Sequence, residues 1–132
     1  MKNRSGAVLI TGCSTGIGRA TAERLAAAGH TVYATARNES SIEDLADLGC
    51  RTLALDVTDE ASMKAAVDTV VAEEGAVGAL VNNAGYSQSG AIETVAMEDV
   101  RRQFETNVFG LIRMCQLVLP GMREQGAGRI VN

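Results

Sequence analysis

The sequence predicts an α/β fold, a doubly wound parallel sheet truncated after its fifth strand, in a single domain over residues 1–132 that is incomplete at its C-terminus. Three observations predict it. Five short apolar runs alternate with stretches of helical spacing, glycines stand where those helical stretches should stop, and a glycine-rich turn joins the first run directly to the first helical stretch.

The runs are AVLIT (Ala7 to Thr11), TVYATA (Thr31 to Ala36), TLAL (Thr52 to Leu55), ALVN (Ala79 to Asn82) and RIVN (Arg129 to Asn132). Each is a short apolar run of the kind a strand covered on both faces shows. After the first run, Ile17, Ala20, Thr21, Leu25 and Ala28 recur at helical spacing, and Met63, Ala66, Val67, Val70 and Val71 do so after the third. Each such stripe must rest on a sheet. Ser40 with Glu43, and Thr58 or Asp59, are the expected helix starts. Gly29, Gly49 and Gly75 follow the helical stretches, where a left-handed cap is needed. A third long helix is expected from Met97, with Val100, Phe104, Val108, Leu111, Cys115 and Leu119 inward, until Pro120 kinks or ends it. Phe109, Ile112 and Met114 then form more apolar surface than one sheet face covers, so a homo-oligomeric contact through the 97–119 helix is expected. Alternating strands and helices imply right-handed crossovers and a parallel sheet with helices on both faces, which binds ligands at the carboxyl ends of its strands.

At 132 residues and 46% hydrophobic content the chain is sized for one compact domain with a real core. A net charge of -4, with Lys and Arg in no run or stripe, gives no general field for nucleic acid. The opening MKNRSGAVLITG is basic, but its apolar stretch from Ala7 to Ile10 is too short for a signal-peptide core and no segment is long enough to span a bilayer. A cytoplasmic location without membrane contact is expected. Cys13, Cys50 and Cys115 are scattered, odd in number and lack ligand spacing, so they read as small apolar residues and no metal site is expected.

In TGCSTGIG (Thr11 to Gly18), Gly12 permits a tight turn, and Gly16 and Gly18 remove side chains where backbone must approach a pyrophosphate and the helix must pack on the sheet. Unpaired N–H groups at the helix start would then face the anion. An ordinary strand-to-helix turn is the alternative; the position in the first crossover favours the nucleotide.

The turn resembles the TGxxxGIG segment of the short-chain dehydrogenases/reductases. Arg37 after the second strand, LDV (Leu55 to Val57) after the third, NNAG (Asn82 to Gly85) after the fourth and Asn107 in NVFG follow in the order of that family, and together they span the chain. The resemblance implies a Rossmann-type fold and cofactor contacts at Gly12, Ser14, Thr15, Gly16, Ile17, Gly18, Arg37, Asp56, Val57, Asn83, Ala84 and Gly85.

A carboxylate ending the second strand would bind the ribose 2'-hydroxyl of NAD and repel the extra phosphate of NADP. Here Ala36 stands there, followed by Arg37, which can meet a 2'-phosphate with two charge-assisted hydrogen bonds, helped by the hydroxyls of Ser14 and Thr15. NADP is the expected cofactor, although some NADP-binding relatives place a basic residue where this chain has Thr15. A merely solvated Arg37 is the alternative. Asp56 could accept from the adenine amine beside the Val57 N–H, or it caps the turn into the next helix. By resemblance Asn83 and Gly85 border the nicotinamide ribose, although Asn and Gly also favour such turns on their own.

Hydride transfer belongs to the nicotinamide, and the protein manages the proton. In the resembled family an Asn, a Ser, and a Tyr with a Lys four residues later do so; only the Asn is present, as Asn107, here the one catalytic candidate. Its alternative is a helix-interior Asn that bonds or bends the local backbone. Tyr86 has Gly90 four positions on, and Tyr33 and Arg37 lie along a strand, where that interval spans about 13 Å. Tyr33 reads as core and His30 as structural. The expected function is NADP-dependent hydride transfer to or from a small-molecule carbonyl or secondary alcohol, with this 132-residue stretch inactive alone. A non-catalytic NADP-binding or sensing module is the alternative; a flavodoxin-like domain would need neither the glycine turn nor NNAG.

Overall fold

The structure, a computed structural model, describes residues 6–132; the basic start, residues 1–5, lies outside the described residues. Five strands, β1 (Ala7–Ile10), β2 (Val32–Ala36), β3 (Arg51–Ala54), β4 (Val77–Val81) and β5 (Arg129–Val131), form one parallel sheet in the order β3-β2-β1-β4-β5. The direction of winding reverses between β1 and β4, so the segments leaving these two strands diverge and open a crevice at their carboxyl ends. All five strands coincide with the expected runs to within two residues.

Four α-helices flank the sheet: α1 (Gly16–Ala27), α2 (Glu60–Glu74), α3 (Met97–Phe104) and α4 (Leu111–Gln125). Alternating side chains of each strand divide the core in two. Leu9, Tyr33 and Leu80 pack against Met63, Val67 and Val70 of α2 and Met114 and Val118 of α4. Val8, Ile10 and Ala34 face Ala22 of α1 and Ile42 and Leu45 of the segment after β2.

Three expectations are corrected. First, the segment after β2 is a 3₁₀ helix, Glu39–Leu48, begun by Asn38 rather than by Ser40 and Glu43. The Asn38 side chain accepts from the Ser40 N–H at 3.1 Å, a shorter reach than a capping box needs. Second, the inward stripe of α1 is Gly18 and Ala22, not Ile17 and Ala20, because the helix packs on its glycine side. Third, the long third helix is α3 and α4 joined by a π-helical segment, Glu105–Gly110. Its wider turn holds an extra residue and rotates α4 relative to α3. Gly110, Met114, Val118 and Met122 are therefore the buried positions, while Phe104, Val108 and Leu119 are exposed. Met114 thus belongs to the core and not to the outer surface. Pro120 lies inside α4 and does not end it; Gly126, at φ 73°, does.

Most other signals stand as read. Gly29, Gly49 and Gly75 have positive φ, 88°, 93° and 88°; Gly49 is the left-handed cap expected, while Gly75, at ψ -37°, lies outside that region. The Asp59 carboxylate accepts from the N–H groups of Ala61 and Ser62 and starts α2. The shifted register of α4 is testable by thermal or urea denaturation. Met114→Ala is expected to lower stability by about 2–4 kcal/mol and Leu119→Ala by less than about 1 kcal/mol; the reverse order would restore the uninterrupted helix.

Candidate functional site

A cleft of about 860 Å³ opens at the carboxyl ends of the strands, lined by Gly12, Ser14 to Ile17, Ala36, Arg37, Leu55 to Thr58, Asn83 to Tyr86, Arg102 and Thr106. Of the expected cofactor residues, all but Gly18 line it. Four separated stretches of sequence therefore meet at one place.

Their meeting is organised by Thr11, which is buried at the end of β1. Its Oγ1 accepts from the Asn83 N–H at 3.1 Å and the Ala84 N–H at 2.9 Å. The Asn83 side-chain amide donates in return to the carbonyls of Thr11 at 3.1 Å and Gly12 at 2.9 Å. The glycine turn and the exit of β4 are thus stitched together across the crevice. Gly12, at φ +73°, sits so close to this seam that a Cβ on it would meet the Ala84 Cα at 2.9 Å. A Cβ on Gly18 would collide with the Asn83 amide and the Gly12 carbonyl. Gly18 consequently lies behind the wall of the cleft, where it lets helix and turn approach.

Gly16 differs: a Cβ there would meet nothing within 4 Å, although its φ of +63° still favours glycine. Its outer side faces the open cleft. Thr15 precedes α1 without a side-chain cap bond, and the first turn of α1 contains no acidic residue. In α2, by contrast, Asp59 caps the start and Glu60 follows. The N–H groups at the start of α1 are left for an anion from outside the helix. Ile17 projects beside them with 80% of its surface exposed, an apolar side chain placed for an external contact.

Ala36 is buried at the end of β2 and puts no carboxylate into the cleft. Arg37 follows it on the cleft wall, and among the described residues it has no ion-pair partner, unlike Arg19, Arg51, Arg102 and Arg113. The Asp56 Oδ1 accepts from the Thr58 N–H at 2.9 Å and the Thr58 hydroxyl at 2.7 Å. Asp56 therefore does shape the turn before α2, though Asp59 caps the helix itself.

Asn107 lies in the π-helical segment and does not bond its own helix. Its Oδ1 accepts from the Tyr86 N–H at 3.0 Å and its Nδ2 donates to the Tyr86 carbonyl at 2.7 Å. A Cβ on Gly85 would sit 3.0 Å from that Oδ1, so glycine is what admits the amide. Asn107 fixes the chain leaving NNAG.

Tyr33 and His30 stand apart from the cleft. The Tyr33 hydroxyl donates to Glu73 and accepts from Arg51, and burial together with the Glu73 bond pushes it up to about 12. It remains protonated at neutral pH. Burial likewise pushes the Cys13 thiol up to about 11, and its Sγ donates to the Ile10 carbonyl at 3.5 Å, so it fills space behind the turn. Sequence reasoning missed the sealing role of Thr11 and the cleft positions of Tyr86, Thr106 and Arg102. Only its adjacency to NNAG marked Tyr86 in advance; Arg102 and Thr106 carried no local signal.

Comparison with known proteins agrees with this geometry. A family model described as short chain dehydrogenase matches residues 6–132. The chain is 42% identical over 125 residues to a 3-ketodihydrosphingosine reductase of Bacteroides thetaiotaomicron, covering 95% of this chain and 45% of the relative. It is 39% identical over 127 residues to the 3-oxoacyl-(acyl-carrier-protein) reductase FabG of Escherichia coli, covering 94% and 52%. A crystal structure of a short-chain dehydrogenase from Streptomyces avermitilis superposes with a TM-score of 0.93 at 41% identity, covering 100% of this chain and 50% of that one. The chain thus spans about half the length of the relatives it matches.

The Thr11 seam makes its own prediction. Thr11→Val keeps the shape but leaves the Ala84 N–H without its acceptor and the Asn83 N–H with the Val81 carbonyl alone, and is expected to cost about 1–3 kcal/mol in denaturant unfolding. Unchanged stability would mean that the seam does not hold the cleft together.

Proposed function

The chain belongs to the short-chain dehydrogenase family, and from that premise we propose that its protein is an NADP-dependent oxidoreductase acting on a carbonyl or secondary alcohol. The observation that carries the choice of cofactor is the pairing of a carboxylate-free end of β2, at Ala36, with an arginine on the cleft wall that has no ion-pair partner among the described residues. An unpaired guanidinium is available for bidentate contact with a 2'-phosphate, and Ser14 and Thr15 add hydroxyls at the same edge.

The remaining contacts accord with the geometry. The uncapped start of α1 and the open side of Gly16 would take the pyrophosphate. Asp56 and Val57 would hold the adenine. Asn83, Ala84 and Gly85 would border the nicotinamide ribose; the Asn83 side-chain nitrogen is occupied by Thr11 and Gly12, so its share comes from backbone and position. Ile17 would pack on the cofactor with the apolar surface it exposes. When bound, the nicotinamide supplies or accepts the hydride.

The chain's own part in the chemistry is orientation and proton handling. Asn107 would act by holding the Tyr86 backbone and, with its remaining N–H, a water of the proton relay. The Ser and the Tyr-x-x-x-Lys of the family have no counterpart in residues 1–132, so this stretch by itself is proposed to bind cofactor without turnover. Two relatives are named reductases of 3-keto and 3-oxo compounds, which supports a ketone as the substrate class. Among the described residues no helix is long and apolar enough to cross a membrane, in keeping with a proposed cytoplasmic location. Phe109 of the π segment and Ile112 and Leu119 of α4, 55%, 45% and 40% exposed, support assembly of the protein as a homo-oligomer through that face.

Two outcomes are expected. In the intact protein, Arg37→Ala should weaken NADPH by about ten- to hundredfold while leaving NADH nearly unchanged, measured by fluorescence titration; equal loss for both, or none, would reject the assignment to NADP. Phe109→Glu with Ile112→Glu should convert an oligomer to a monomer in sedimentation, and an unaltered oligomer would move the interface elsewhere.

A further inference from the structure

Arg102 lines the cleft, yet neither the glycine turn nor NNAG accounts for it. Its place along the helix says which end of the cleft it serves. Gly110 packs directly on Val57, since a Cβ there would fall 2.6 Å from the Val57 carbonyl oxygen. Thr106 and Arg102 precede Gly110 by four and eight residues, which keeps them near one helix face, and both line the cleft. Asn107, one residue round the helix, faces Tyr86 instead. The helix therefore runs back from Val57 along the cleft, with Thr106 and then Arg102 on its wall.

The charge around Arg102 decides what it can hold. Its Nη1 donates to Asp99 at 3.1 Å and its Nη2 to Glu98 at 3.3 Å. Two carboxylates against one cation leave the spot negative, which disfavours a phosphate. The same bonds lie in the plane of the guanidinium and orient it by its edge, leaving its faces for a flat, uncharged ring. Arg37 is the opposite case, a cation with no ion-pair partner among the described residues.

We propose that Arg102 covers the adenine ring of the bound dinucleotide, stacking its guanidinium on one face of the ring whose edge Asp56 and Val57 hold, so that the two arginines divide the adenosine end into a base contact and a phosphate contact. This rests on the dinucleotide reading of the cleft. It makes Arg102 a determinant of affinity for NAD and NADP alike and not of the choice between them.

Calorimetric titration of the intact protein with ADP-ribose and with 2'-phospho-ADP-ribose tests it. Arg102→Ala is expected to weaken both by the same factor, about three- to fivefold, whereas Arg37→Ala weakens only the phosphorylated compound. Arg102→Lys, which keeps the charge and loses the plane, should weaken both as alanine does. Equal binding by Arg102→Ala and wild type overturns the proposal, as does a loss confined to the phosphorylated compound or full recovery with lysine. Binding of neither compound by the wild-type protein would overturn the dinucleotide reading itself, and this inference with it. Matching circular dichroism melts establish that each variant is folded.

Discussion

The seam between Thr11 and Asn83 is the constraint on which the cleft depends. In a parallel sheet ordered β3-β2-β1-β4-β5, β1 and β4 are neighbours whose following segments leave in different directions. Nothing in sheet geometry alone keeps those segments at a set distance once the ladder ends. Four hydrogen bonds between a buried hydroxyl, an amide side chain and local backbone do so here. The seam gives the Ala84 N–H its acceptor and adds a second to the Asn83 N–H, which also bonds the Val81 carbonyl, so it helps to satisfy the strand ends and ties the cleft wall together. The glycines follow from it: Gly12 and Gly18 are small because the seam occupies the space their side chains would need.

With the wall held rigid by its own bonds, other groups are left unused, and the contrast between equivalent elements shows where. The helices α1 and α2 both begin just beyond a strand, but α2 is capped by an aspartate side chain and α1 by none. Of the two arginines on the cleft wall, Arg102 is tied to Glu98 and Asp99, while Arg37, like several surface arginines, has no such tie among the described residues. These donors and this cation are exposed to water and committed to no protein partner, so an anion can take them without breaking a protein contact. Their gathering at one cleft, beside an isoleucine that exposes most of its surface, is what makes a phosphate-bearing ligand the best-matched occupant.

Much of this was legible in the sequence, because strands covered on both faces and glycine turns leave local marks. The five strands, the carboxyl-end cleft, the Asp59 cap and the glycines at helix ends all rest on short-range rules. What escaped depends on distant partners or on small differences in reach. The 3₁₀ helix after β2 is written in the same residue types as an α-helix, and its start at Asn38 is decided by a reach of two residues instead of three. The buried face of α4 was misplaced because a periodicity carried through from Met97 assumes an uninterrupted helix, and the π turn between Glu105 and Gly110 breaks that assumption. Arg102 and Thr106 reach the cleft only because of where that helix lies against Val57, which no local pattern records.

The π turn and Asn107 are best understood together. An asparagine inside a regular helix tends to bond its own backbone, which weakens the helix without serving anything beyond it. Here the amide lies in the wider turn, and both of its ends bond the Tyr86 backbone. The same turn brings Gly110 flush against Val57 and sets Met114, Val118 and Met122 on the core. Asn107, Gly110 and Met114 are spaced by three and four residues, so the three duties fall along neighbouring strips of one side of the helix. One helical stretch with a π turn in it thus closes the core, holds the segment after NNAG and walls the cleft at once.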